Sequence, residues 1–215
     1  GTGLALGERF TELLQGDLDR RHPGCCEVLN AGRMGMTTPT ALAFVEGEVL
    51  AWRPEVLIYD TMANDLRDPD RSQRLDLRPE RIAIYEGQLR SLVAACHAAG
   101  VQIVFWANTI AYEADFDPLD AHREAMRRVA EEGQQAFVDL DALYAEHPAS
   151  AEEMKAFLSE PNWTQWFPIL GPGKRSLPRI ALHTDWVHPN RFGSRRLAAG
   201  LLDPVEEALG LAPQP

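Results

Sequence analysis

The chain has 215 residues, of which 45% are hydrophobic and 25% are charged, a composition ordinary for a soluble globular domain. A formal net charge of −11 argues against a nucleic-acid-binding surface, and no apolar run approaches the ~20 residues of a membrane-spanning helix. The three cysteines have neither the pattern of a disulfide framework nor the spacing of a zinc site, so we expect no metal and no cofactor.

Helical patterns alternate with short apolar runs along the whole chain. The apolar runs of strand length are 26–30, 56–60, 101–106 and 136–139. The helical patterns cover 8–21, 38–52, 79–99, 117–133, 141–147, 151–158 and a last stretch that begins after Pro189. The segment 159–184 is rich in Pro, Gly and Trp and has no periodicity.

Several helix ends are marked by single residues. Thr38 and Pro39 suit the N-cap and the first position of a helix, and Gly100 suits the C-terminal end of the longest one. Pro204 is expected to kink or split the last helix, because its ring clashes with the preceding turn.

The alternation of strands and helices predicts a three-layer α/β/α fold with a mainly parallel sheet. The strands are continuous apolar runs, which is typical of a sheet buried on both faces. No repeat or linker interrupts the pattern, so we predict a single domain over residues 1–215. Ligands of such sheets bind beyond the carboxyl ends of the strands.

One short segment carries a recognisable chemical arrangement. Asp185 precedes His188 by three residues, and Pro189 and Asn190 follow before the last helix. A carboxylate can hold one nitrogen of an imidazole and leave the other free as a general base. The alternative is that Asp185 is only an acid near a helix N-terminus and that His188 only packs or caps.

Two earlier segments complete a set of three. Asn30-Ala-Gly-Arg-Met-Gly35 follows the first apolar run, and Ala63-Asn64-Asp65 follows the second. In this order the three segments resemble the later blocks of the SGNH (GDSL-type) hydrolase family, an α/β fold of esterases, lipases and deacetylases. The resemblance covers nearly the whole chain and includes the run Phe137-Val-Asp-Leu140 before the last block.

The resemblance implies a role for each matching residue. His188 would be the general base and Asp185 would orient it. The side-chain amide of Asn64 and the backbone N–H of Gly35 would donate to the oxyanion. Asp65 is expected to stabilise its loop by hydrogen bonds. A plain turn role is the alternative for both oxyanion donors.

The chain departs from the family pattern at two places. Ala63 stands where the family commonly has glycine, and none of the six serines lies in a Gly-Asp-Ser block. Because Gly1-Thr-Gly3 and the following helix resemble the stretch just after that block, we expect the first strand and the nucleophilic serine upstream of Gly1.

The resemblance therefore implies a serine ester hydrolase that forms an acyl-enzyme with a small-molecule ester of an alcohol or a sugar. An acyltransferase on the same fold is the alternative, and a non-catalytic binding domain is the reading if the serine is truly absent. The oligomeric state is left open. The compartment is also open, with the cytoplasm slightly favoured and export not excluded.

Overall fold

The computed structural model describes residues 4, 6–33, 35–65, 67–68, 71–75, 78–108, 120–159, 182 and 189–211. Within these residues, helices cover both faces of a parallel sheet. The helices are α1 (Phe10–Arg21), α2 (Thr38–Gly47), α3 (Met62–Asp65), α4 (Pro79–Ala98), α5 (Asp120–Glu132), α6 (Leu140–Glu146), α7 (Ala151–Ser159) and α8 (Arg191–Ala208), with a 3₁₀ turn at Val49–Trp52. The strands are β1 (Val56–Tyr59), β2 (Arg67–Asp68), β3 (Arg71–Leu75), β4 (Gln102–Ala107) and β5 (Ala136–Asp139).

The parallel sheet has the strand order β1-β4-β5. Val56 of β1 pairs with Gln102 of β4, and Ala107 of β4 pairs with Asp139 of β5. The remaining two strands, β2 and β3, form an antiparallel pair of their own. The carboxyl ends of β1, β4 and β5 consequently lie along one edge, as predicted from the alternating pattern.

Strand β4 separates two apolar cores. Ile103 and Phe105 face one core, which α2, α4 and α5 cover, whereas Val104 and Trp106 face the other, which α1, α6 and α8 cover. Side chains that alternate between two helical layers explain why β4 is apolar at nearly every position. The predicted α/β/α fold with a parallel sheet is thus confirmed.

Helices α1 and α8 are joined by a buried carboxylate as well as by apolar packing. Glu206 of α8 is only 2% exposed, and its two oxygens lie 2.9 Å from Arg21 Nη1 and 3.0 Å from His22 Nε2. Arg21 also donates to Asp203 at 3.0 Å. The end of α1 is therefore fixed to the end of α8 by charge-assisted hydrogen bonds.

Three local predictions were wrong. Residues 26–30 form no strand, because the side-chain amide of Gln15 bonds the carbonyl of Cys26 and the N–H of Val28 instead of a neighbouring strand. The predicted helix 38–52 is divided at Glu48, where the backbone leaves helical geometry. Thr38 is not the N-cap of α2, since Thr37 holds that position and its N–H donates to Thr40 Oγ1.

Helix α8 runs through Pro204 without being split. The carbonyl that the proline ring would meet belongs to Gly200, four residues earlier. Glycine gives the backbone freedom to tilt away from the ring at that point. No helix in the described part of the chain combines the length and apolarity needed to cross a membrane.

We expect Gly193→Ala to destabilise the protein strongly. A Cβ at this buried position of α8 would collide with the carbonyl oxygen of Leu182 and the hydroxyl of Tyr144, so helix α8 would have to move away from both. Overpacking of this kind costs ~3 kcal/mol or more when backbone is the obstacle. Urea denaturation would measure the loss.

Gly87→Ala is the matched control for the glycine substitution. Gly87 lies exposed inside α4, and a Cβ there meets nothing within 4 Å. The change should raise the free energy of unfolding by ~1 kcal/mol through helix propensity alone. Equal effects of the two substitutions would contradict the close approach at Gly193.

The stability of the fold should fall as the pH is lowered from 6.5 to about 4 because of His122. Burial and the charge of Arg81 lower the pKa of His122 from 6.5 to about 4. In that window the unfolded chain binds a proton that the folded one excludes, so stability rises with pH there. The contribution to the free energy of unfolding is about 3 kcal/mol. His122→Phe should remove this slope in urea titrations, whereas the exposed His147→Gln should retain it.

Candidate active site

The candidate site lies at the edge of the sheet where the strands end. Strand β1 ends at Tyr59, and the short helix α3 that follows it contains Asn64. The loop that contains Gly35 leads into α2, whose first residue is Thr38. Two of the four predicted site residues are therefore in described segments, one on each side of α2.

Asn64 lies in a single helical turn just beyond β1. Its backbone N–H donates to the carbonyl of Thr61 at 2.9 Å, and the residue is half-buried. Ala63, which stands where the family commonly has glycine, is also inside this turn. Alanine is the better residue in a helical position, so this departure supports the local geometry rather than opposing it.

Gly35 occupies a backbone conformation that favours glycine. Its φ is +75°, in the left-handed region, and a Cβ added there would meet nothing within 4 Å. The restriction at this residue therefore comes from the backbone and not from a crowded neighbourhood. The residue is exposed, so its surroundings leave room for a ligand.

The two segments are joined by the carboxylate of Asp65. Its Oδ1 accepts the backbone N–H of Thr38 at 2.7 Å, and its Oδ2 accepts the hydroxyls of Thr38 at 2.8 Å and Thr61 at 2.7 Å. The expectation that Asp65 stabilises its loop by hydrogen bonds is confirmed. One of these bonds also satisfies an N–H at the start of α2, which has no partner within the helix.

Tyr59 extends this cluster into the sheet. Its hydroxyl donates to Thr38 Oγ1 at 2.9 Å and lies 2.9 Å from Thr61 Oγ1, and the two threonine oxygens are 2.9 Å apart. All three side chains are buried, with Thr38 fully so. A cluster without solvent contact holds its geometry because each lost hydrogen bond would leave a buried polar atom unsatisfied.

Burial dominates the ionisation of this cluster. It raises the pKa of Asp65 above its ordinary value, although the hydrogen bonds from Thr61 and Thr38 oppose the shift. It also raises the pKa of Tyr59, which remains a neutral donor. The half-buried carboxylate is thus tolerated because several donors converge on it.

Asp185 and His188 lie outside the described residues, so their predicted roles remain predictions. The residues that follow them are described. Asn190 is the N-cap of α8, where its side chain accepts the N–H groups of Phe192 at 2.9 Å and Gly193 at 3.1 Å. Its own N–H donates to the carbonyl of Leu182 at 3.0 Å. This cap fixes where the chain leaves the 185–188 segment.

Sequence reasoning missed the roles of Thr38, Thr61 and Tyr59. Each is polar and stands at the end of an apolar run or at the start of a helix, and that position was the available indication in the sequence. Among the described residues no three His, Cys, Asp or Glu side chains converge in a way that could hold a metal ion.

Comparisons with known proteins agree with the three motifs. The family model described as "GDSL-like Lipase/Acylhydrolase family" matches residues 1–196. Comparison with curated proteins yields no match. Among solved structures, a catalytic mutant of an acetylxylan esterase from Geobacillus stearothermophilus is 25% identical, with a TM-score of 0.67, over 95% of this chain and 84% of that one.

Two further solved structures share the fold at lower identity. An acetyl xylan esterase called AlAXEase is 18% identical, with a TM-score of 0.66, over 92% of this chain and 91% of that one. The psychrotrophic esterase EstA from Pseudoalteromonas sp. is 16% identical, with a TM-score of 0.60, over 97% and 91%. The resemblance inferred from the motifs is confirmed, and the chain belongs to the GDSL-like lipase/acylhydrolase family as a carboxylic-ester hydrolase.

Proposed function

We propose that this protein hydrolyses carboxylic esters through an acyl-enzyme. A serine from the family's first block, upstream of Gly1, attacks the ester carbonyl while His188 takes the proton of the hydroxyl. Asp185 orients the imidazole and stabilises its charged form. The alkoxide then leaves with the proton from His188, and a water activated by the same base releases the acid.

The oxyanion of each tetrahedral intermediate is held by two donors from different segments. We assign the side-chain amide of Asn64 and the backbone N–H of Gly35 to this role. The observation that best supports the assignment is the bond between Asp65 and Thr38, because it joins the two segments next to these donors. Neutral donors fixed before the reaction stabilise charge that develops only in the transition state.

We propose that the substrate carries a short acyl group, and specifically that it is an acetyl ester of a sugar. The support is the match to an acetylxylan esterase at 25% identity over 95% of this chain. Hydrolysis of acetylated xylo-oligosaccharides, compared with long-chain esters, tests the substrate class.

We also assign the whole chain, residues 1–215, to one catalytic domain, since both apolar cores pack on the same sheet.

The nucleophile is tested by labelling the naturally expressed protein with a fluorophosphonate probe. The expected result is a single label on a serine that precedes Gly1, located by intact mass and peptide mapping. An active protein that takes no label on serine would overturn the acyl-enzyme mechanism. Transfer of the acyl group to an added alcohol, in preference to water, would assign the protein as an acyltransferase instead.

Asn64→Ala and His188→Ala should lower turnover by different amounts. Loss of one oxyanion donor lowers kcat by ~10²- to 10³-fold, with KM little changed because the bond forms in the transition state. Loss of the base should reduce kcat by at least ~10⁴-fold. Steady-state kinetics on p-nitrophenyl acetate would measure both. A change confined to KM would contradict the role of Asn64, and full activity of the histidine variant would contradict the role of His188.

Gly35→Ala and Gly100→Ala form a matched pair. Both glycines have φ +75°, and neither has an atom within 4 Å of an added Cβ. Each substitution should lower the free energy of unfolding by the same ~1–2 kcal/mol of backbone strain. Gly100 lies just before β4 begins, at the opposite edge of the sheet, so only Gly35→Ala should also reduce kcat, by about tenfold or more. Equal kcat values for the two variants would remove Gly35 from the oxyanion site.

A further inference from the structure

The hydrogen bonds around Asp65 connect the start of α2 to the turn α3, two segments that lie far apart in the chain. Asp65 directly follows Asn64, and Thr38 comes three residues after Gly35. The carboxylate accepts two donors from Thr38 and one from Thr61. Asn64 is therefore next to this carboxylate in the chain, and Gly35 is three residues from Thr38, which the carboxylate binds.

We propose that Asp65 is a positioning residue, which holds the Gly35 loop and the Asn64 turn in one arrangement through its hydrogen bonds to Thr38 and Thr61. The inference rests on the proposed function, because it assumes that Gly35 and Asn64 stabilise an oxyanion. It assigns to Asp65 no contact with the substrate. It also states that positioning the two donors requires the hydrogen bonds of Asp65 and does not require its negative charge.

A count of protons shows how the cluster is ordered. The hydroxyls of Thr38 and Thr61 each direct their single proton at Oδ2 of the carboxylate. The proton of Tyr59 then points at the threonine oxygens, both of which lie 2.9 Å from its own oxygen. Every hydroxyl proton has an acceptor, so the cluster has one preferred arrangement when Asp65 is ionised.

Asparagine at position 65 would satisfy the same neighbours with the opposite polarity. Its oxygen would accept the Thr38 N–H, and its NH₂ would donate to both threonine hydroxyl oxygens. The three hydroxyls would then donate hydrogen bonds in a ring. Thr38 would donate to Thr61, Thr61 to Tyr59 and Tyr59 to Thr38, across contacts of 2.9 Å each. Asp65→Asn therefore preserves the cluster and removes only the charge, whereas Asp65→Ala removes the cluster's acceptor.

The first measurement compares these two variants in the full chain, with p-nitrophenyl acetate as substrate. Asp65→Ala should lower kcat by ~30-fold, with KM changed less than about twofold, because the donors act in the transition state. Asp65→Asn should stay within about threefold of the parent kcat, and its pH–rate profile should be unchanged. An asparagine variant as slow as the alanine variant would overturn the inference, since the charge would then be what matters.

The second measurement is a double-mutant cycle with Asn64→Ala. If Asp65 acts by positioning Asn64, Asp65→Ala should lower kcat by ~30-fold in the parent but by about fivefold or less when Asn64 is already alanine. Fully additive effects would overturn the inference, because Asp65 would then act independently of the donor.

Glu206→Ala is the control for loss of a hydrogen-bonded carboxylate far from the candidate site. Glu206 is 2% exposed, accepts hydrogen bonds from α1 and lies ~22 Å along α8 from the start of that helix. It should lower the denaturation midpoint in urea without changing kcat. A kcat loss equal to that of Asp65→Ala would mean that general destabilisation explains both variants, and would overturn the inference.

Two milder variants preserve the test if Asp65→Ala does not fold. Thr38→Val and Thr61→Val each remove one hydroxyl donor to Oδ2, and the first leaves the backbone N–H bond in place. Each should lower kcat by about three- to tenfold at constant KM; parent-like kcat in both would overturn the inference. Failure of the proposed function is distinguishable, because Asn64→Ala would then leave kcat unchanged or the parent protein would show no esterase activity.

Discussion

The structure of the candidate site depends on the half-buried carboxylate of Asp65. The first residues of α2 have backbone N–H groups without partners in their own helix, and one of these is satisfied from a different segment of the chain. The same carboxylate accepts the hydroxyls of Thr38 and Thr61, and Tyr59 joins the group to the end of β1. This cluster thus fixes three elements to each other, namely the start of α2, the end of β1 and the turn α3. The turn carries Asn64, so the end of strand β1 determines where this proposed oxyanion donor lies.

The elements that a sequence can predict are those with a regular pattern. Strands β1, β4 and β5 and helix α4 were predicted within a few residues, because apolar runs and the residues Pro79 and Gly100 mark them directly. The stretch 26–30 also contains an apolar run but forms no strand, since its backbone is bonded by the Gln15 side chain. Apolar composition favours burial, but only a partner for the backbone makes a strand.

Short motifs indicated the candidate residues, but no pattern in the sequence indicated the hydrogen bonds that connect their segments. Asn64 and Gly35 were chosen because short motifs stood in the right order. The hydrogen bond between Asp65 and Thr38 joins residues 27 positions apart in the chain, and no periodicity in the sequence predicts it. Thr37, Thr38 and Thr40 are all suitable caps for α2, so only the folded arrangement decides which of them turns inward.

The pairing of α1 with α8 has a consequence for how the protein is made. About 170 residues separate the end of α1 from the start of α8, and each buries apolar surface against the other. During synthesis, the apolar surface that α8 covers on α1 and on the sheet stays exposed until α8 has left the ribosome. The segment that contains His188 emerges just before α8. A partly synthesised chain therefore has exposed apolar surface and lacks His188, the proposed general base, so the proposed chemistry and the protection from aggregation are acquired together.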